Sequence, residues 1–286
     1  MLRYIPIFGR QVPGYGLMMA LAVVAAVLVC LYRTRKQKLA FEDGILILTC
    51  AFGCALLGAG ALYLFVTYSI SEIIAMIADL SLFTQPKMGL VFYGGLIGAI
   101  PGVFIGGKIA GVKLGDYINA LLPVVPLGHA LGRIGCFLGG CCYGAPTDSW
   151  VGVVYPEGII HGIEHGTKLL PVQLFEAGAL LVFFVIMCLP AVRKLSPLKN
   201  VALYVFLYAP TRFILECFRF DAYRGFAGSV STSQWISVIL MIVAGFVLIL
   251  FDRPQAAPAA VQAEAAPVAD ETAEAPAAEA QEATEA

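Results

Sequence analysis

The chain has 286 residues, of which 60% are hydrophobic and only 13% charged, with a formal net charge of −1. This is too apolar for a water-soluble domain, and nothing in it suggests nucleic-acid binding. The near-neutral total hides a split: residues 254–286 carry seven acidic groups and no basic one, which leaves 18 basic against 12 acidic groups in the body.

Several apolar runs reach the roughly 17–25 residues that a helix needs to cross a bilayer. The short alternating strands of an outer-membrane barrel are absent. The expected fold class is therefore all-α, a polytopic membrane protein with about seven transmembrane helices at 14–31, 45–66, 89–112, 116–138, 172–190, 200–217 and 234–251. The first run precedes Arg33, Arg35, Lys36 and Lys38, the reverse of the charge order of a cleavable signal peptide. With that cluster in the cytoplasm, ten Lys/Arg lie in inner loops and six in outer ones, so the N-terminus is expected outside and the C-terminus inside.

Taken in chain order, span one opens on Tyr15. Span three opens on Tyr93, followed by Gly94 and Gly95, and a ladder of Gly98, Gly102, Gly106 and Gly107 suits close helix packing. Span four ends in Gly132-Arg133-Ile134-Gly135-Cys136-Phe137, which puts a permanent cation in an apolar run. An arginine at mid-bilayer costs about 2.5–3.5 kcal/mol on insertion scales, so Arg133 should face a partner or a function. Glu176 and Glu216 are its candidate partners. A long loop, 143–170, carries Trp150, His161 and His165. Span five starts at Gln173 and Glu176, and span six ends with Arg212 and Glu216 one turn apart, then Arg219.

With the expected orientation, polar side chains of five spans meet in the outer half of the membrane, and the inner half shows no comparable set. Two guanidinium forks from different spans suit one phosphate, and phospholipid is the nearest source. Cys136, Cys141 and Cys142 form a cluster with the loop histidines nearby. A disulfide from Cys136 to Cys141 or Cys142 is preferred there over a zinc site, because the spacing is not a standard ligand pattern. No metal and no cofactor is assigned. Residues 1–253 are expected to form the membrane domain and 254–286 a disordered Ala/Pro/Glu-rich tail.

Six blocks in order carry a resemblance: Tyr15-Gly16, Phe92-Tyr93-Gly94-Gly95-Leu96, the glycine-arginine stretch through Gly144, Pro171-Val172-Gln173-Leu174-Phe175-Glu176, Arg212-Phe213-Ile214-Leu215-Glu216 with Arg219, and Ser231-Thr232-Ser233-Gln234-Trp235. In these the chain resembles the bacterial prolipoprotein diacylglyceryl transferases, from about Pro13 to Phe251. The resemblance implies transfer of the diacylglyceryl group of phosphatidylglycerol to the lipobox cysteine thiol of prolipoproteins, with release of glycerol phosphate, at the outer face of the bacterial cytoplasmic (inner) membrane. It implies phosphate-holding roles for Arg133 and Arg212. Where the family usually has histidine this chain has Tyr93, and family asparagine, asparagine, glutamate and histidine positions hold Cys136, Gly139, Cys141 and Leu170. The candidate catalytic residues are Arg133, Arg212 and Tyr93, and the candidate substrate-binding residues are Tyr15, Gly94, Gly95, Gln173, Glu176, Glu216 and Arg219. Glu176, Glu216 and Tyr93 compete as the base, with activation of the substrate thiol by the electropositive site itself as the alternative. Two alternatives follow: a catalytically altered member that binds phospholipid or lipidated partners, and a membrane thiol-disulfide oxidoreductase built on the three cysteines.

Overall fold

The computed structural model describes residues 4–7, 9–79, 91–156, 163–164, 166–220, 226–227 and 230–250. The expected tail, Arg253, His161 and His165 lie outside them. The described residues form α1 (Gly14–Gln37), α2 (Phe41–Thr67), α3 (Ile70–Ala78), α4 (Phe92–Ala110), α5 (Leu114–Leu121), α6 (Val124–Gly139), α7 (Val172–Cys188), α8 (Pro190–Arg193), α9 (Pro197–Cys217) and α10 (Thr232–Leu250). Three small antiparallel hairpins accompany them: β1 (Tyr4–Ile7) with β2 (Arg10–Pro13), β3 (Val153–Val154) with β4 (Lys168–Leu169), and β5 (Phe226–Ala227) with β6 (Val230–Ser231). Helix occupies each stretch expected to span. Among the described residues, five segments are long and apolar enough to cross a membrane (α1, α2, α4, α5 with α6, and α10), and α7 is apolar but shorter. The chain is a polytopic helical membrane protein, and its outward side chains match, with Leu57 and Ile249 each at least 75% exposed.

Lipid offers no hydrophobic drive between helices, so close van der Waals contact must hold the bundle. The glycine ladder of α4 provides it against α2. A Cβ on Gly102 would stand 2.6 Å from the Cys50 carbonyl oxygen, and one on Gly106 would stand 2.7 Å from the Ile47 Cα. The expected packing role of this ladder is what the structure contains.

The fourth predicted span is two helices. Pro123 has no N–H, so the Asn119 carbonyl loses its helical donor. Arg33 supplies one: its NH2 donates to Asn119 O at 2.8 Å and its Nε to Ala120 O at 3.2 Å. A cation at a helix C-terminus also complements the backbone dipole. Around it, Asn200 donates to the Asn119 side chain at 2.8 Å, and Tyr117 donates to Asp43 at 3.0 Å. Arg33 is 3% exposed. This corrects the reading of Arg33 as a loop charge and of this half as free of a polar cluster. Sequence patterning missed it because Arg33 sits beside three basic residues that are less buried.

The short helix α3 was also missed. Ser69 and Glu72 cap it reciprocally, Ser69 N–H donating to Glu72 Oε2 at 2.8 Å and Glu72 N–H to Ser69 Oγ at 3.4 Å. Its Ile70, Ile74 and Ile77 are all exposed, the mark of an amphipathic segment.

At the opposite end from Arg33, the chain after α6 is knitted to the end of α9. Ala145 N–H donates to Phe218 O at 2.8 Å, and Gly144 N–H donates to Leu170 O at 2.9 Å. Gly144 is required there, since a Cβ would meet the Leu170 Cβ at 2.8 Å. These bonds lock the ends of α6, α7 and α9 to one another. Replacing Arg33 with alanine should cost about 1.5–3 kcal/mol per charged hydrogen bond lost. The expected readout is a lower Tm in detergent, and an unchanged Tm would refute the capping role.

Candidate active site

The Arg133 end of the bundle gathers charge from three helices. On α6, His129 and Arg133 are one turn apart. On α7, Gln173 and Glu176 share a face, each 1% exposed. On α9, Tyr208, Arg212 and Glu216 recur every four residues and form one stripe.

Glu176 Oε1 is the hub. Arg133 NH2 lies 3.0 Å from it, the Tyr208 hydroxyl donates to it at 2.8 Å, and His129 Nε2 stands 3.7 Å away. Of the two partners left open for Arg133, the structure selects Glu176. The second hub is Glu216, whose Oε2 lies 2.7 Å from Arg212 NH2 and 3.6 Å from Arg219 NH1. The two groups are not remote from one another: both Arg133 and Arg212 lie within electrostatic reach of His129 and Tyr208.

Ser233, at the start of α10, extends the second hub. It accepts from Arg212 NH2 at 3.3 Å and shares a hydrogen bond with the Tyr93 hydroxyl at 3.3 Å. Tyr93 therefore touches Arg212 through Ser233. Its neighbour Phe92 stacks on His129 at 5.7 Å, which joins α4 to α6.

The remaining expected residues divide. Tyr15 lies against α6, where Gly135 leaves it room: a Cβ there would be 3.1 Å from the ring. Gly94 and Gly95 face α2 instead, and a Cβ on Gly94 would stand 2.6 Å from the Leu62 Cβ. What they supply in the structure is close approach of two helices. Gln173 is a brace: its Nε2 donates to Cys141 O at 2.6 Å and to the Tyr155 hydroxyl at 3.0 Å. Burial pushes the Tyr155 phenol up to about 12, so it stays a neutral hydroxyl and a steady acceptor at physiological pH.

His129 and Tyr208 were not singled out from the sequence. The available signal was their spacing, each four residues before an arginine, although a lone histidine in an apolar run carries little by itself. The expected disulfide is not formed, and all eight cysteines are free thiols. Cys136, Cys141 and Cys142 instead converge as three, with Sγ atoms within 4.8 Å of one another.

Chemically, three guanidinium groups face two carboxylates, which leaves one positive charge in excess. Arg133 Nε and Arg212 NH1 are buried and have no hydrogen-bond partner among the described residues. A buried donor without a partner is costly, and an oxygen acceptor is the kind of group that satisfies it. A phosphodiester, with one negative charge and several oxygens, is the matching group.

The family model for prolipoprotein diacylglyceryl transferase matches residues 4–251. The chain belongs to that family. A relative from Clostridium tetani, named phosphatidylglycerol–prolipoprotein diacylglyceryl transferase, is 33% identical over 84% of this chain and 94% of its own length. A relative of the same name from Coxiella burnetii is 35% identical over 83% of this chain and 90% of its own. One from Clostridium perfringens, the second so named there, is 32% identical over 82% and 90%.

Removing one partner of a buried ion pair costs about 3–5 kcal/mol, because the other charge is stranded. Glu176→Ala should therefore destabilise the protein strongly, and Glu176→Ala with Arg133→Met should recover most of the loss. Thermal unfolding in detergent measures both, and equal Tm values for the single and double variants would contradict the pairing.

Proposed function

We propose that this protein transfers the diacylglyceryl group of phosphatidylglycerol to the lipobox cysteine thiol of prolipoproteins and releases glycerol phosphate. The supporting observation is the pair of arginines on separate helices, each tied to a glutamate and each holding an unspent buried donor. Membership of the family and the relatives' shared name favour this reading over a non-catalytic lipid binder or a thiol-disulfide oxidoreductase.

The chain crosses the bacterial cytoplasmic membrane seven times, through α1, α2, α4, α5 with α6, α7, α9 and α10, with the N-terminus outside and the C-terminus inside. The basic loop residues support this orientation. The arginine site then opens to the outer leaflet, where exported precursors arrive. Residues 1–253 carry the activity and 254–286 form an acidic tail that is dispensable for it.

In the reaction the thiol gives its proton to water and its sulfur attacks the glyceryl carbon that bears the phosphate ester. A C–S bond forms, the C–O bond breaks, and the electron pair stays on the phosphate oxygen. The phosphate thus gains charge as it departs. Arg133 and Arg212 bind it more strongly in the transition state than in the ground state, which is the condition for catalysis. Arg219 adds to the field through Glu216. Tyr93 acts as a positioning residue by way of Ser233, while Tyr15 covers the α6 side of the lipid site. Gln173 braces Cys141 and Tyr155 through its side-chain amide, and Glu176 and Glu216 keep the guanidinium forks oriented.

Arg133→Ala and Arg212→Ala should each lower kcat/KM by about 100–1000-fold, the range for losing one preorganised donor to a developing charge. Lysine at either position should restore little, since it lacks the planar fork. Tyr93→Phe should cost about tenfold or less if it acts only through Ser233, where loss of one neutral hydrogen bond is worth about 0.5–1.5 kcal/mol. Purified protein, phosphatidylglycerol and a lipobox peptide, followed by the mass of the peptide, measure all of these. Wild-type-like rates in both alanine variants would defeat the assignment. Truncation after Arg253 should leave transfer and insertion intact, and its failure in the same assay would give the tail a docking role.

A further inference from the structure

We propose that Cys136, Cys141 and Cys142 form a three-thiolate site for a soft divalent metal such as zinc, whose fourth position takes the acceptor thiol. The metal site stands on its own geometry, and the thiol-binding role rests on the transferase reading above.

The three sulfurs lie within 4.8 Å of one another. Zinc–sulfur bonds of about 2.3 Å in a tetrahedron set sulfur pairs roughly 3.8 Å apart, so small rotamer changes suffice. The backbone prepares this convergence. Cys136 is in the last turn of α6, and Gly140 ends that helix at φ 73. Cys142 then adopts φ 60, a left-handed conformation rare for a residue with a Cβ, and the chain doubles back on the helix end. The Cys141 backbone is tied in two ways: its N–H donates to Cys136 O at 3.1 Å and its carbonyl accepts from Gln173 at 2.6 Å, while the thiol proton that now reaches Cys136 O at 3.7 Å is given up on metal binding. Such outer hydrogen bonds hold ligands in place at metal sites.

Among the described residues three protein ligands converge; three ligands with one open position is the pattern of a reactive zinc centre, whereas structural zinc is closed by four. Cys141 is exposed, so an incoming chain has access. Zinc with three thiolates carries one negative charge, and Arg133 and Arg219 lie within electrostatic reach of Cys142. Both carboxylates of the site are already held by arginines, and His129 is packed against Phe92 and Tyr208. A free thiol of pKa about 8.5 is only a few per cent thiolate at neutral pH, whereas a metal-bound thiol is deprotonated outright.

The step balances without an oxidant. The acceptor thiol binds the metal and loses its proton to water. Its sulfur then attacks the glyceryl carbon, the C–O bond breaks, and glycerol phosphate leaves from Arg133 and Arg212. The product thioether is a weaker ligand than a thiolate and dissociates.

The test uses the full chain purified in detergent with reductant and freed of metal by chelation, then titrated with cobalt(II). We expect thiolate-to-cobalt charge-transfer absorption saturating at one ion per chain and displaced by zinc. Cys136→Ser and Cys142→Ser should each weaken cobalt binding at least about tenfold, while Cys188→Ser should not. Arg133→Ala should keep the absorption and lose transfer. Chelated wild-type protein should lose transfer and regain it with zinc. No charge-transfer band while all three thiols react with a thiol reagent overturns the site, as does a disulfide among them that survives the reductant. Transfer indifferent both to chelation and to a folded triple serine variant overturns the thiol-binding role and leaves the transferase reading standing. Cobalt binding with no transfer by any form overturns the transferase reading, and the thiol-binding role with it, and leaves the metal site intact.

Discussion

Ionised side chains in an apolar bundle are expensive unless a partner of opposite sign and fixed geometry reaches them. That constraint organises this protein. Arg133 is tolerated because Glu176 lies 3.0 Å away on a neighbouring helix, and Arg212 because Glu216 lies 2.7 Å away on its own. The first pair fixes how α6 meets α7, and the second is reached from α10 through Ser233. Pairing alone would make these groups inert. The buried donors left over on both arginines, and the surplus of guanidinium over carboxylate, leave positive charge that the two glutamates do not neutralise.

The rest of the fold serves this placement by different physics at its two ends. At one end the proline that divides α5 from α6 frees a carbonyl, and Arg33 answers it. At the other, a loop bonded edge to edge with the end of α9 clamps the helices that bear the charges. Between them, α2 and α4 approach through glycines, since lipid gives apolar surface no reason to associate. The thiol triad sits on the clamped end, within the same hydrogen-bond frame that Gln173 and Tyr155 supply.

Sequence reasoning located the helices because crossing a bilayer demands a long apolar run, and such runs are visible one residue at a time. It found Arg133, Arg212, Glu176 and Glu216 for the converse reason, since charge in such a run needs justification. The Arg212–Glu216 pair was legible as well, because four residues is one helical turn. The break at Pro123, the capping helix α3 and the hairpins left weaker traces. They rest on single prolines, serines and glycines whose effect depends on what surrounds them.

Only the tertiary structure decided what meets across helices. Glu176 as the partner of Arg133, Tyr208 and His129 beside it, Arg33 as a cap on a distant helix end, and three cysteines converging as a triad all depend on rotations and translations of packed helices. Hydropathy is insensitive to those variables, because lipid-facing and helix-facing positions are both apolar in a membrane. The amino-acid order determined which segments enter the bilayer and which charges they carry. The packing of those segments decided which charges find each other.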